Sequence, residues 1–185
     1  MKKVIRLTES DLVGLIKNLI NETVSVDNLT KSNNKIMGMT SYVTKYLKRQ
    51  GLKDIDESTV QKGLNLLSKE LNKQNLQTLS LIKNKQFEKI GELYMSVFEK
   101  TFYTFFDDEV GFLKKNMIRL MISKEEILGN IKPSQIGNLI NLILSESIES
   151  FPIDDNSITT IRRYINSKRI VLSEKLINWS ISQIY

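Results

Sequence analysis

The side chains whose types and spacing suggest chemistry fall into three acidic groupings, one serine–lysine pair and two basic clusters. Asp107-Asp108-Glu109 could offer oxygen ligands to a hard cation. Adjacent residues, however, point to different sides of a helix, and acids in a first helical turn are stabilised by the helix dipole. Asp154-Asp155 follows Pro152 and precedes a helix start, which suits a loop and capping role. Glu125-Glu126 belongs to a capping box that opens at Ser123. Ser80 and Lys83 stand one helical turn apart, the spacing of a lysine-activated serine, but the companion motifs of such enzymes are missing. Histidine and cysteine do not occur, which removes the usual general base, the common zinc ligands and every Ser-His-Asp or Cys-His mechanism. No glycine-rich phosphate loop is present either. The expectation is a protein that is not an enzyme and takes no cofactor or metal. A carboxylate-bound metal at Asp107 and Asp108 is the weaker alternative.

The basic clusters carry a different chemistry. Lys45, Lys48 and Arg49 share a short segment with Tyr42 and Tyr46, a mixture of cations and rings that nucleic-acid surfaces use. Arg162, Arg163, Lys168 and Arg169 form the second cluster, beside Tyr164. Two readings stay open: solvated helix faces with half-buried tyrosines, or contacts to a polyanion. Net charge is +6, concentrated in residues 1–50 and 151–185. Lysine-rich coding from an A/T-rich gene would give the same balance, and the chain has no alanine at all.

The elements that must position these residues read as helices. Only 2 prolines and 8 glycines interrupt 185 residues that are 41% hydrophobic and 26% charged, favouring helices over a many-turned β-fold. Thr8 and the acids after it open a helix on which Leu12, Leu15, Ile16, Leu19 and Ile20 cluster on one side. Residues 25–39 are polar, asparagine-rich and aperiodic, and are expected to form a linker. Further helices are expected at 41–50 (capped by Thr40, closed by Gly51), from Ser58, at 75–85 with Leu76, Leu79 and Ile82 inward, and at 86–106. A break at Asp107-Asp108 should precede 109–122, and a short helix from Ser123 should precede 135–150. Two last helices should cover 157–167 and the stretch to Tyr185. Within 86–106 a stripe including Phe87, Tyr94, Phe98 and Phe102 reads as core. The fold class is all-α: an irregular multi-helix bundle with a separable N-terminal amphipathic helix (1–24), a polar linker (25–39) and a helical domain (40–185). Arg6, Glu9, Asp11 and Lys17 interrupt any secretory apolar region, and no run approaches bilayer length. No membrane association is expected, and the location is a virion or the host cytoplasm.

Residues 5–12, IRLTESDL, running into VGLIKNLINE, resemble a recurrent N-terminal leader of tailed-bacteriophage proteins and, more loosely, the capsid-targeting peptides of T-even-like phages. That resemblance ends at Glu22. It implies a short helix that directs internal proteins into the prohead, followed by cleavage after a Leu/Ile-x-Glu tripeptide. Ile20-Asn21-Glu22 matches the tripeptide, which also occurs at Leu7-Thr8-Glu9, Ile55-Asp56-Glu57, Ile90-Gly91-Glu92, Leu144-Ser145-Glu146 and Leu172-Ser173-Glu174. The expected function is a non-enzymatic phage structural or virion-packaged protein, docked through Leu12, Leu15, Ile16, Leu19 and Ile20 onto other phage structural proteins. The alternative is a nucleic-acid-binding protein of DNA packaging or regulation that uses the two basic clusters. Self-association as a homo-oligomer is compatible with either.

Overall fold

A computed structural model describes residues 8, 10, 24–50, 55–120 and 132–184, with backbone alone over 106–120 and at 184. The described elements are α1 (Val26–Asn34), a 3-10 segment (Lys35–Met39), α2 (Thr40–Arg49), α3 (Glu57–Lys73), α4 (Asn75–Lys83), α5 (Phe87–Leu120), α6 (Pro133–Ile148) and α7 (Asp155–Ile184). The fold is all-α, and no strand occurs among the described residues. The N-terminal helix expected over 12–20, the closing Gly51 and the short helix expected after Ser123 lie outside the described residues.

α7 is the organising element, packed along both α5 and α6. α3 packs on α5, while α1 and the 3-10 segment lie across α3 and α6. Apolar spacing along α6 buries Leu139, Ile140, Ile143 and Leu144, with Ile148 a turn further on and Ile136 half-buried, each buried side chain contributing roughly 1.5–3 kcal/mol. Pro133 opens α6 at a position whose N–H would have no helical partner, so the ring costs nothing there. On α3, Val60, Leu64, Leu67 and Leu71 recur at helical spacing and are buried.

The structure corrects several expectations. Residues 25–39 are not a linker. Ser25 caps α1, its hydroxyl accepting from the Asn28 N–H at 3.2 Å, and Leu29 and Ile36 are fully buried. The helical body therefore includes residues from Val24 onward rather than beginning at residue 40. Asp107-Asp108 does not break a helix, since α5 runs unbroken through it. The two expected C-terminal helices are one, because no proline or glycine interrupts residues 155–184. α3 is capped by Asp56, whose carboxylate accepts from the Thr59 N–H at 2.6 Å, so Ser58 lies inside the helix. Thr40 is likewise the first residue of α2 rather than its cap, and its hydroxyl bonds Met37 O at 3.0 Å. On α4 the inward face is Asn75, Thr78 and Ile82, and Leu76 is 74% exposed. A single residue, Gln74, separates α4 from α3, so α3 fixes the rotation of α4 and brings Asn75 rather than Leu76 to the core.

Candidate functional site

The most connected polar site is one that pattern reading assigned to a linker. Asn33, fully buried on α1, donates through Nδ2 to Asn72 Oδ1 at 3.1 Å and Asn75 Oδ1 at 3.0 Å. Its Oδ1 accepts from the Tyr94 hydroxyl of α5 at 2.8 Å. Asn34 Oδ1 accepts from Ser68 at 2.7 Å and from Asn72 Nδ2 at 2.9 Å. Asn75 Nδ2 reaches Thr30 at 2.7 Å, and Ser32 donates to Ser147 O on α6 at 2.7 Å. α1 is thus bonded to α3, α4, α5 and α6. Burial holds the Tyr94 phenol well above its ordinary value, although the bond to Asn33 acts in the opposite direction. A neutral, hydrogen-bonded phenol there braces the core and has no proton to trade near neutrality. The sequence signal was the pair Asn33-Asn34 with Asn72 and Asn75, two amides on each side of the contact.

A second polar and aromatic group joins α5 to α7. Glu99 pairs with Lys175 and accepts from the Tyr103 hydroxyl at 2.9 Å. Trp179 lies against Tyr103 with ring centroids 4.4 Å apart and edge-on to Phe102 at 6.4 Å. The bond to Glu99 raises the Lys175 ammonium. Upstream, Gly91 lets α7 come close: a Cβ there would stand 2.9 Å from the Tyr164 ring.

The acidic candidates separate. Asp154 accepts from the Ser157 hydroxyl at 2.6 Å and the Ser157 N–H at 3.0 Å, and these bonds hold its carboxyl below the ordinary carboxylate range. That is capping chemistry at the start of α7. The Asp107, Asp108 and Glu109 side chains and all of Glu125-Glu126 lie outside the described residues. Among the described residues no group of three acids is placed to hold a metal ion. Ser80 and Lys83 are both exposed on α4, in no enclosed setting that would tune a nucleophile.

The basic clusters are arranged unequally. Lys45, Lys48 and Arg49 are exposed on α2, which is anchored to the first turns of α6 by the Tyr46 hydroxyl donating to Gln135 O at 2.9 Å. Burial and then the neighbouring Tyr42 raise the Tyr46 phenol, while the Tyr42 ring is itself 56% exposed. On α7 the second cluster splits. Arg162 and Arg169, two helical turns apart, lean over α6. Arg162 meets Glu149 at 3.8 Å, and the Arg169 Nε donates to Asn138 Oδ1 at 3.4 Å while its guanidinium bonds Asn166. Arg163 and Lys168 are exposed on other faces of the helix. The Arg162 pair is solvent-facing and worth little. Arg169 and the α2 cluster thus flank α6 near its N-terminal end, whereas Arg162 lies at the other end of α6.

The docking residues Leu12, Leu15, Ile16, Leu19 and Ile20, and the tripeptide Ile20-Asn21-Glu22, lie outside the described residues. Among the described residues no helix is long and apolar enough to cross a membrane. No protein-family model, no curated protein and no solved structure matches this chain.

Proposed function

We propose that this chain is a non-enzymatic structural or virion-packaged protein of a tailed bacteriophage, docked through its N-terminal amphipathic helix. The observation that carries the reading is the segregation of Leu12, Leu15, Ile16, Leu19 and Ile20 on one helical side, in a segment that resembles phage leaders and capsid-targeting peptides. Helix-in-groove docking requires that pattern, with apolar anchors recurring at intervals of three and four residues.

The folded body supports the reading in two ways. Proteolysis needs an extended substrate, and Ile90, Leu144 and Leu172 start tripeptides held inside α5, α6 and α7 with that first residue buried. A head protease acting on the folded chain would be refused at those matches, whereas Ile55-Asp56-Glu57, with Asp56 extended at the start of α3, is not protected in this way. Val24, two residues after Glu22, is already core, and α1 with its asparagine bonds follows. A cut after Glu22 would leave the α1 anchorage whole.

The test is Ile16→Asp in the full chain, followed through assembly of the native particle. The expected result is loss from purified particles while helicity and thermal midpoint stay unchanged. Normal incorporation of the variant overturns the docking mechanism. Intact mass of the particle-borne protein adds the second half, since a species beginning at Thr23 marks a processed targeting helix.

A further inference from the structure

We propose that the surface formed by α2, the N-terminal end of α6 and Arg169 of α7 binds single-stranded nucleic acid, a function separate from docking by the N-terminal helix. The first argument is charge segregation. Residues 40–50, 132–145 and 156–173 contain eight cations and no acid: three on α2, Lys132, and four on α7, of which Arg169 alone reaches the N-terminal end of α6. The whole chain has a net charge of only +6, so the remainder is slightly acidic and the excess belongs to these three segments. Lysine-rich coding would spread cations over the chain. It does not clear acids from three segments of which the first is bonded to the second and the second packs along the third.

The second argument is geometry. Tyr46 fastens α2 to Gln135 at 2.9 Å, and Arg169 reaches Asn138, one helical turn further along α6, at 3.4 Å. Gly137 permits the approach of α7, because a Cβ there would stand 3.2 Å from the Arg169 backbone oxygen and side chain. Beside these contacts Ser134 and Asn138 are exposed and uncharged, and Lys132 is exposed at the start of the helix. These donors, with cations of α2 and α7 brought to the same end of α6, suit a phosphodiester backbone.

The third argument selects single strands. Tyr42, Tyr46 and Arg49 recur at helical spacing along the edge of α2 that faces α6. Tyr46 is committed to Gln135, but the Tyr42 ring stands 56% exposed among the cations. An exposed ring beside lysine and arginine can stack on an unpaired base, which a duplex does not offer.

The experiment is fluorescence anisotropy of the full-length chain with a labelled oligothymidine of about 15 nucleotides, near the upper end of single-domain site sizes. The same titration is run with a duplex of equal length. Binding should be tighter to the single strand and should weaken steeply with salt. Lys45→Ala with Arg49→Ala, and separately Arg169→Ala, should each weaken binding and flatten the log–log salt slope by about 0.7 per lost phosphate contact. Tyr42→Ala should cost about tenfold in affinity with the salt slope unchanged. Lys83→Ala, on α4, should change nothing, and circular dichroism melting confirms that each variant is folded. Absent binding at low salt, preference for the duplex, or equal loss in Lys83→Ala overturns the proposal. None of these outcomes bears on particle incorporation, so the docking reading stands or falls separately.

Discussion

Replacing Asn33 by leucine should strongly destabilise this protein, and the size of the loss follows from what the change leaves behind. Leucine keeps the branched outline of asparagine but is larger, so any overpacking at this fully buried position adds to the cost that the hydrogen bonds set. Asn33 donates to Asn72 and Asn75 and accepts from Tyr94. Asn72 is half-buried and can turn to water, so its loss is modest. The Tyr94 hydroxyl and Asn75 Oδ1 cannot, since those residues are 0% and 2% exposed. An orphaned buried group costs about 1–3 kcal/mol, so two cost roughly 2–6 kcal/mol together. For a chain of this size each kcal/mol lowers the thermal midpoint by about 2–4 °C, so the drop should be at least about 4 °C. Tyr94→Phe orphans only Asn33 Oδ1 and should cost about 2 kcal/mol. The double variant Asn33→Leu, Tyr94→Phe removes both members of the pair, so its cost should fall short of the sum by about 1–2 kcal/mol. Urea titration monitored by circular dichroism gives all three values at constant m. If Asn33→Leu shifts stability by less than about 0.5 kcal/mol, the range of ordinary surface substitutions, then α1 is not bonded into the core and the reasoning fails.

Two further predictions follow from the same packing. Gly91→Ala should destabilise by about 1–3 kcal/mol in urea titration, because the new Cβ meets the Tyr164 ring at 2.9 Å and the Tyr164 Cβ at 3.1 Å, the latter unable to swing away. Gly38→Ala meets nothing within 4 Å and should be neutral or stabilising by up to about 1 kcal/mol in the same assay. Stability should also fall in alkali. Burial raises the Tyr94 phenol above the ordinary 10.0, so above pH 10 the unfolded chain releases a proton that the folded chain retains. The contribution is complete below pH 10 and is lost as pH rises, at about 1.4 kcal/mol per pH unit for this group. Tyr94→Phe should make the decline between pH 10 and 12 shallower by that amount, and an unchanged slope would assign the decline to other groups.

The parts of this fold legible in the sequence are those where apolar spacing decides. The Leu64, Leu67 and Leu71 row, the Leu139 to Leu144 face and the aromatic row of α5 all sit where helical periodicity puts them. The reading failed where polar residues hold the interior. The polarity of residues 25–39 suggested solvent, because a pattern in one segment cannot reveal amides two helices away that complete its bonds. The break expected at Asp107-Asp108 failed because charge alone does not stop a helix: neither proline nor glycine stands at that point, and the backbone bonds continue. Leu76 was expected inward by its spacing with Leu79, yet the junction at Gln74 fixed the rotation of α4 from outside that helix. For the basic clusters the sequence supplied the residues but not their grouping. Arg162 and Arg169 face α6 while Lys168 and Arg163 do not, and only Arg169 comes near the end of α6 flanked by the α2 cluster.

The asparagine bonds have a consequence that apolar packing could not supply. Contact between aliphatic side chains is non-directional, so a nine-residue helix held only by Leu29 and the following Ile36 could roll or slide along α3 and α6 at small cost. Asn33 satisfies Asn72, Asn75 and Tyr94 together in one rotation and one register of α1 alone. Any displacement leaves buried amides without partners, and in a low-dielectric interior each orphan is expensive. The network therefore sets the register in which α1 is held against the body after Val24. For a protein proposed to dock through residues 12–20, that register fixes the place at which the chain next to the docking segment is anchored. Loosening α1 by Asn33→Leu should then weaken docking even though the docking face itself is untouched.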